Sequence, residues 1–575
     1  MRLYDERYWR LLLHMNGSKS EIDDPRFFFA ENGKTDPKAE LYATIEALYD
    51  TTYLDDNATQ CRFPARTMWL RDTLQLKNLP RVTCKAYSEL VKKVDPQSVT
   101  LVFADAHINS PASMFGHTFL RIDSAFHSKL LAHAINYSAN ADPKKENGIL
   151  FAFKGLFGGY TGIYSLLPYY EKLKEYKNTE QRDIWEYDLN LTPQEIARMV
   201  AHIWELHDSY SWYFFFDENC SYHMLWLLEV ARPSVRLREH FFYQVIPPET
   251  IFAVDEEGLI ESMRYRASKR SLLLAYEQAL TLRERNNVIA LAKGNAKADD
   301  FMKIPMSDAK RRLMLEAAAE LCEYYYIEQD IDKERYLTTF HALLSERSRL
   351  GRAKTVTPTP PENPIYAHRS ARLEYALGRV EDKVVNYFGI RAAYQDMSDS
   401  DVGMLRGVEI EFLDIAVRAY DATVELEHLD IISLASYAMR SSFFSPFSWN
   451  MQVGWDRDSL SEELLFKLRL GIGESWGGAR WQGYVLLEPL LYYDDSDTTL
   501  SIAPMFGGAL YLTRDIKLNG EYRYRYYSDG TKQQLMHASL LFGIEQNLAF
   551  KLKYEHIERF LEDQNRFKAV IDYYF

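Results

Sequence analysis

A cysteine, a histidine and an asparagine carry the chemical interest of this chain. Cys220 lies in the string Phe214-Phe215-Phe216-Asp217-Glu218-Asn219-Cys220-Ser221-Tyr222-His223. Asp217 or Asn219 can cap a helix whose first turn contains the thiol. The free N–H groups and dipole of a helix N-terminus stabilise a thiolate, and a thiol so activated is a nucleophile. The same N–H groups, that of Cys220 included, can receive an oxyanion. The plainer reading of the string alone is a buried structural cysteine beside three phenylalanines.

The second string runs Asn109-Ser110-Pro111-Ala112-Ser113-Met114-Phe115-Gly116-His117-Thr118-Phe119-Leu120-Arg121-Ile122-Asp123. Gly116-His117 opens a strand, and a histidine there can face a helix N-terminus across a cleft and serve Cys220 as general base. Asn136, on the return strand of a hairpin, falls near the level of His117 and can orient the imidazole through one ring nitrogen. Asn136 can equally serve only the hairpin backbone. His107 and His133 are rival bases, and His223, one turn into the Cys220 helix, points elsewhere if Cys220 faces the cleft. No His-x-x-x-His or Cys-x-x-Cys spacing appears, so neither a metal nor another cofactor is expected.

These residues need elements to position them. Residues 1–92 read as a helical domain, with an amphipathic helix Ala39–Tyr49 after Asp36-Pro37 and a proline-broken connector over Cys61–Arg66. Residues 93–265 read as α+β. Strands are expected at Val99–Ala104, Gly116–Asp123, Leu130–Ser138 and Ile184–Leu191, with Ser124–Ser128 as the hairpin turn. A helix Pro193–His207 starts on Thr192 with Glu195 at capping-box spacing, and a second opens at Cys220 and stops before Pro233. The stretch from 258 to 350, chiefly the 266–354 region, reads as helical with no β-pattern. Residues 355–367 form a proline-rich linker.

From 368 to 575 the chain alternates polar and apolar residues. In the last segment Phe567, Ala569, Ile571, Tyr573 and Phe575 form one face and Arg566, Lys568, Val570, Asp572 and Tyr574 the other. A period of two over strand after strand of roughly ten residues marks a transmembrane β-barrel, here antiparallel and of about twelve strands. The same alternation runs through Leu464–Ile472, Glu521–Tyr526 and Leu548–Glu555. A soluble β-sandwich is the competing fold. The 40 tyrosines and 31 phenylalanines suit aromatic girdles, and the net charge of −14 argues against nucleic acid as a partner.

A barrel must be exported, yet Met1 leads straight into Arg-Leu-Tyr-Asp-Glu-Arg without an apolar core, so a mature or trimmed form is expected. An oxidising periplasm would let Cys61 and Cys84 close a disulfide, whereas Cys322 fits a helix interior as a small hydrophobe.

Four motifs in order, Ser110–Arg121, Gly155–Tyr160 (Gly-Leu-Phe-Gly-Gly-Tyr), Ser165–Glu171 (Ser-Leu-Leu-Pro-Tyr-Tyr-Glu) and Asp217–His223, resemble the family named after the periplasmic domain of the bacterial lipoprotein intramolecular transacylase. The resemblance covers about 97–265. The helical front end and the barrel look like its Gram-negative branch, with the thiol domain in the periplasm and the barrel in the outer membrane. That family resembles circularly permuted papain-like thiol enzymes in which His precedes Cys, and its motif residues fall on His117 and Cys220. The resemblance implies a thiolate that takes a fatty acyl chain from an ester and hands it to an amine or to water. The transacylase itself carries this domain on transmembrane helices, so donor and acceptor stay open.

The expected protein is thus α+β, a permuted papain-like thiol domain with helical flanks followed by the barrel. Its expected activity is that of a cysteine acyltransferase or hydrolase using Cys220, His117 and Asn136. Its expected partners are outer-membrane lipid, with lipoproteins or a phospholipid acyl donor. The apolar loop Phe151–Tyr160 suits an acyl chain or a bilayer surface, and Lys172, Lys174 and Lys177 suit anionic headgroups or a solvated face. The alternatives are a peptidoglycan-directed cysteine amidase or peptidase, and a transport or scaffold barrel with a periplasmic binding module. Oligomeric state is left open.

Overall fold

A computed structural model describes residues 2–105, 115–126, 129–141, 154–155, 158–176, 181–352, 356–380, 383–458, 461–493, 498–559 and 562–575. His107, Lys177, Ser110–Met114, most of Phe151–Phe157 and the Asp494–Asp497 turn lie outside these residues. The chain divides into two compact units, Met1–Leu272 and Leu273–Phe575.

The first unit begins with helices α1 (Arg7–Leu12), α2 (Pro37–Leu48), α3 (Thr59–Arg62), α4 (Pro64–Leu74) and α5 (Lys85–Val94), and a two-strand ribbon, β1 (Met15–Asn16) and β2 (Lys19–Ser20). Asp36 caps α2 by accepting from the Lys38 and Ala39 N–H groups, with Pro37 at the first helical position. The expected connector at Cys61–Arg66 is instead the junction of two helices. Pro64 excludes helical geometry at Phe63, which breaks α3 from α4. Cys61 and Cys84 form a disulfide, Cα atoms 5.1 Å apart, tying α3 to the start of α5. The chain-entropy model puts the stabilisation from closing this loop at about 3 kcal/mol. Cys84→Ser is therefore expected to lower the melting midpoint of this unit, and an unchanged midpoint with and without reductant would refute it.

The centre of the unit is a seven-stranded antiparallel sheet in the order β8-β6-β5-β4-β3-β7-β9. Its strands are β3 (Ser98–Ala104), β4 (His117–Asp123), β5 (His133–Ala139), β6 (Tyr160–Pro168), β7 (Ile184–Leu189), β8 (Tyr210–Tyr213) and β9 (Ile260–Arg266). The predicted hairpin is β4–β5, paired through Leu120–Ile135 and Ile122–His133. Its connection is longer than expected, with a 3-10 turn at Lys129–Leu131 before the return strand. β9 corrects the reading of residues beyond 258 as purely helical. It is an edge strand on β7 whose faces are Ile260, Ser262, Arg264, Arg266 and Glu261, Met263, Tyr265, so neither face carries an apolar signal.

Between the strands lie α6 (Tyr169–Lys174), α7 (Pro193–Leu206), α8 (Cys220–Ala231) and α9 (Pro247–Glu256). Thr192 and Glu195 form the expected capping box on α7. α8 is buried all round, as a helix apolar on every face must be. One side packs on β4 and β5, and α1, α7 and α9 cover the rest. The front end is tied to α8 by polar bonds: Tyr222 Oη and Trp226 Nε1 both donate to the Glu21 carboxylate at 2.6 Å.

The second unit contains helices α10 (Lys269–Gln278, entering from the first unit), α11 (Leu282–Ala292), α12 (Ala298–Phe301), α13 (Asp308–Ile327) and α14 (Lys333–Arg349), then the barrel. Cys322 is buried in α13. The barrel closes through β10 (Arg372–Val380), β11 (Lys383–Gln395), β12 (Val408–Tyr420), β13 (Thr423–Ser436), β14 (Ser448–Arg457), β15 (Leu464–Gly477), β16 (Trp481–Tyr493), β17 (Thr498–Tyr511), β18 (Ile516–Tyr527), β19 (Lys532–Glu545), β20 (Leu548–Arg559) and β21 (Glu562–Tyr574). Closure is the β10–β21 pairing, Leu373 opposite Tyr573. Closing the sheet leaves no unpaired edge, the condition for a sheet to cross a bilayer. No helix of the described residues is long and apolar enough to do so.

The alternation sorts as expected. On β21, Phe567, Ile571 and Tyr573 are exposed on the outer wall, whereas Arg566, Val570, Asp572 and Tyr574 are buried inside. The lumen is lined with paired charge. Glu488 accepts from Arg525 at 2.6 Å and lies 3.3 Å from Arg523, and Lys551 stands 2.7 Å from both Asp399 and Asp572. The β11–β12 connection, 396–407, folds into one end. There Asn519 donates to the Met397 carbonyl at 2.7 Å, Tyr574 donates to Asp399 at 2.6 Å, and Arg391 pairs with Asp399 at 2.7 Å. With its lumen crossed by paired charges and the 396–407 segment folded into one end, this barrel is expected to pass no steady current in a planar bilayer. Asp399→Ala, which releases Arg391, Lys551 and Tyr574, is expected to raise conductance, and an open wild-type channel would refute this.

Candidate active site

Cys220 is the first residue of α8 and is almost fully buried. Asn219, one of the two predicted caps, fills that role. Its Oδ1 accepts from the Ser221 and Tyr222 N–H groups at 3.0 and 3.2 Å. Its Nδ2 donates to the Phe215 and Val245 carbonyls at 3.0 and 2.6 Å, which fixes the loop before the thiol.

His117 opens β4 after Gly116, whose φ is +98°. A Cβ there would stand 2.4 Å from the Phe103 ring, so the turn that delivers the imidazole requires glycine. His117 Nε2 lies 2.7 Å from Asn136 Oδ1. The carbonyl oxygen can only accept, so this nitrogen carries the proton and donates. The imidazole also lies close enough to the Cys220 thiol to lower its pKa, and with Nε2 engaged by Asn136, Nδ1 is the nitrogen left for sulfur.

The structure thus brings Cys220, His117 and Asn136 together, His117 bonded to Asn136 and acting on the thiol. Burial alone would raise the thiol. The charge and hydrogen bond of His117, the Thr118 N–H and the Ser221 hydroxyl outweigh it, and the thiol is brought down to about 6. Glu218, two residues away, would oppose a thiolate if ionised. Burial first, and then the charge of Glu21, push its carboxyl up to about 8, so it is mostly neutral at pH 7.

Of the rival bases His107 and His133, only His133 lies among the described residues, and it stands away from the thiol, as does His223. His133 is three residues from Asn136 on β5, about 10 Å along an extended strand. His223 stacks on Tyr137, ring centroids 3.7 Å apart, and its Nδ1 meets the Tyr164 hydroxyl at 3.1 Å. Burial, with Arg238 nearby, pushes His223 down to about 3, so it stays neutral. Among the described residues no group of three or more His, Cys, Asp or Glu is arranged to hold a metal ion. One neighbour of the thiol escaped the sequence reading. Tyr213 ends β8, a strand of four residues too short to announce itself, and its hydroxyl accepts from the Cys220 N–H at 3.4 Å.

If Asn136 holds the imidazole in its working tautomer and orientation, Asn136→Ala is expected to slow chemistry at Cys220 by about 10- to 100-fold. Asn136→Asp, which keeps an acceptor, should restore part of it. Rates within twofold of wild type in both variants would return Asn136 to a hairpin role.

The closed barrel with an apolar outer wall and the α+β unit that precedes it define an outer-membrane protein with a periplasmic N-terminal domain. Residues 86–254 match the family model described as the Lnb N-terminal periplasmic domain. Residues 1–73, 263–359 and 361–574 match three further models, each described as a domain of unknown function. Comparison with curated proteins yields no significant match. Solved structures similar to the barrel include the KdgM porin, at 11% identity over 36% of this chain and 99% of that one, TM-score 0.24. Others are an outer membrane channel from Pseudomonas putida F1 (11%, 36% and 96%, TM-score 0.27) and the NanC porin (6%, 35% and 100%, TM-score 0.26).

Proposed function

We propose that the N-terminal unit is a papain-like thiol acyltransferase or hydrolase, held at the outer membrane by its barrel and acting on acyl esters of lipid or lipoprotein. The observation that carries the reading is His117 bonded to the Asn136 carbonyl oxygen at 2.7 Å while the same imidazole holds the Cys220 thiol down. That is the Cys-His-Asn form of the nucleophile–base–orienter arrangement. The Cys220 thiolate attacks the ester carbonyl carbon, forming a C–S bond as the carbonyl π pair moves to oxygen. Collapse breaks the C–O bond, and the His117 imidazolium gives its proton to the departing alkoxide. An amine or water, deprotonated by His117, then attacks the thioester and releases the thiolate.

A lipid substrate is supported by the apolar surroundings of the thiol. Phe214, Phe215 and Phe216 precede it, and Val245, bonded to both Phe216 and Asn219, follows Phe242, which is 99% exposed. Acyl chains and a bilayer surface both favour such a rim. The donor is assigned to a phospholipid or lipoprotein of the outer membrane. The 396–407 segment folded into one end of the lumen and the charge pairs across it fit an anchor better than an open conduit.

The test is intact-mass analysis of the full chain in detergent after incubation with outer-membrane lipids and a diacylated lipopeptide, beside Cys220→Ala and His117→Ala. A hydroxylamine-labile acyl adduct on Cys220, absent from both variants, is expected. No adduct, with Cys220 also inert to thiol probes at neutral pH, would sink the enzyme reading and favour a binding or scaffold module.

A further inference from the structure

We infer that Tyr213 is a catalytic residue, its hydroxyl forming with the Cys220 N–H the pair of donors that receives the oxyanion. The inference rests on the thiol chemistry proposed above. The Tyr213 hydroxyl accepts from the Cys220 N–H at 3.4 Å, long for a hydrogen bond. Two donors 3.4 Å apart can both reach one oxygen lying about 2.8 Å from each, the separation an oxyanion site requires.

The ring cannot wander. It is buried at the end of β8, stacks on Tyr137 with centroids 5.8 Å apart and 16° between planes, and meets Phe215 edge-on at 6.0 Å. β8 is itself fixed by the pairing of Tyr213 with Tyr160 on β6. Burial and the neighbouring Cys220 thiolate raise the phenol well above its ordinary range, so it remains a donor at every working pH. The phenol and the capped helix N-terminus therefore converge on one point beside sulfur from two different elements.

In the resting state the phenol oxygen accepts from the Cys220 N–H. As the thiolate attacks an ester carbonyl, the sulfur electron pair forms the C–S bond and the carbonyl π pair becomes the charge on oxygen. The Tyr213 O–H and the Cys220 N–H then both donate to that oxygen. No proton leaves Tyr213. When the C–O bond breaks, the π bond re-forms and the phenol is released. A donor placed in this way stabilises the tetrahedral species more than the ester it came from, so its removal should slow turnover rather than weaken binding.

The test compares two reactions of Cys220 in the full-length protein and in Tyr213→Phe. Acylation by p-nitrophenyl butyrate passes through an oxyanion, whereas alkylation by iodoacetamide does not. Tyr213→Phe is expected to slow acylation about 100-fold, in kcat rather than KM, while alkylation across pH 5–9 stays within about threefold. Equal losses in both reactions would overturn the inference and leave Tyr213 as a partner of the thiolate alone. Undiminished acylation would also overturn it. A wild-type protein that is alkylated readily yet never acylated would instead refute the acyl chemistry, and the role of Tyr213 with it. Alkylation doubles as the fold control, since a collapsed site would lose the perturbed thiol.

Discussion

Alkylation of Cys220 is expected to titrate with an inflection near pH 6 in the native protein and to fall about 100-fold at pH 7 in His117→Ala. With its thiol brought down to about 6, Cys220 is roughly nine-tenths thiolate at pH 7. The lowering comes mainly from His117, acting against a burial effect of opposite sign. Without the imidazole only burial and the weaker Thr118 and Ser221 contacts remain, so the inflection moves up to at least the ordinary thiol range near 8.5. The thiolate fraction at pH 7 then drops to a few per cent or less. Acyl transfer should lose much more, on the order of 10⁴-fold, because the proton donor to the leaving alkoxide goes as well. Raising the pH to 9 should recover most of the alkylation in the variant and little of the acyl transfer. An unshifted inflection would show that the helix N-terminus alone activates the thiol.

The largest expected effect on stability comes from Arg121→Met. Arg121 shares a face of β4 with His117 and is wholly buried. It pairs with Asp123 and Glu186, each at 2.7 Å, and its Nη2 donates to the Thr100 hydroxyl at 3.0 Å. Removing the cation leaves a fully buried Glu186 with the Tyr169 hydroxyl and the partly exposed Arg264 and Arg266. Breaking such a pair on one side costs about 3–5 kcal/mol. The pH dependence has a definite sign. Burial alone would raise Glu186, but Arg121 and Arg266 hold it below its ordinary value, so its contribution is present above about pH 4.5 and lost as pH falls. In the variant Glu186 moves up, so the deficit should be greatest near pH 8 and shrink toward pH 5. A deficit independent of pH would assign the loss to packing. A variant as stable as the native protein would show that Arg264 and Arg266 suffice.

Much of this architecture was legible because it is periodic or punctuated. The barrel strands repeat every second residue, and the lumen residues Arg523 and Arg525 could be told from the outward Tyr522, Tyr524 and Tyr526 by parity alone. The α8 start was marked by Asn219 and the α7 start by Thr192 and Glu195. β9 was missed because its pairing is backbone-driven and its side chains are polar on both faces. Asn136 could be placed near the level of His117 because a hairpin has fixed pitch. Tyr213 could not, because β8 reaches the thiol through β6, a pairing between segments far apart in sequence that no local pattern encodes.

The barrel's connections are lopsided in length. At the end where β10 begins, and so toward the periplasm, run the long segments 396–407 and 437–447. The second of these meets the helices, Ser442 N–H donating to Glu277 at 2.8 Å and Phe444 packing on Tyr324. At the opposite end the strands join through 381–382, 421–422, 458–463, 494–497, 528–531 and 560–561. Outer-membrane barrels ordinarily reverse this, with short periplasmic turns and long outer loops. A cell carrying this protein therefore shows the outside world almost nothing of it: few epitopes for an antibody, little purchase for a phage tail fibre, and scarcely a loop for a protease shaved across the cell surface.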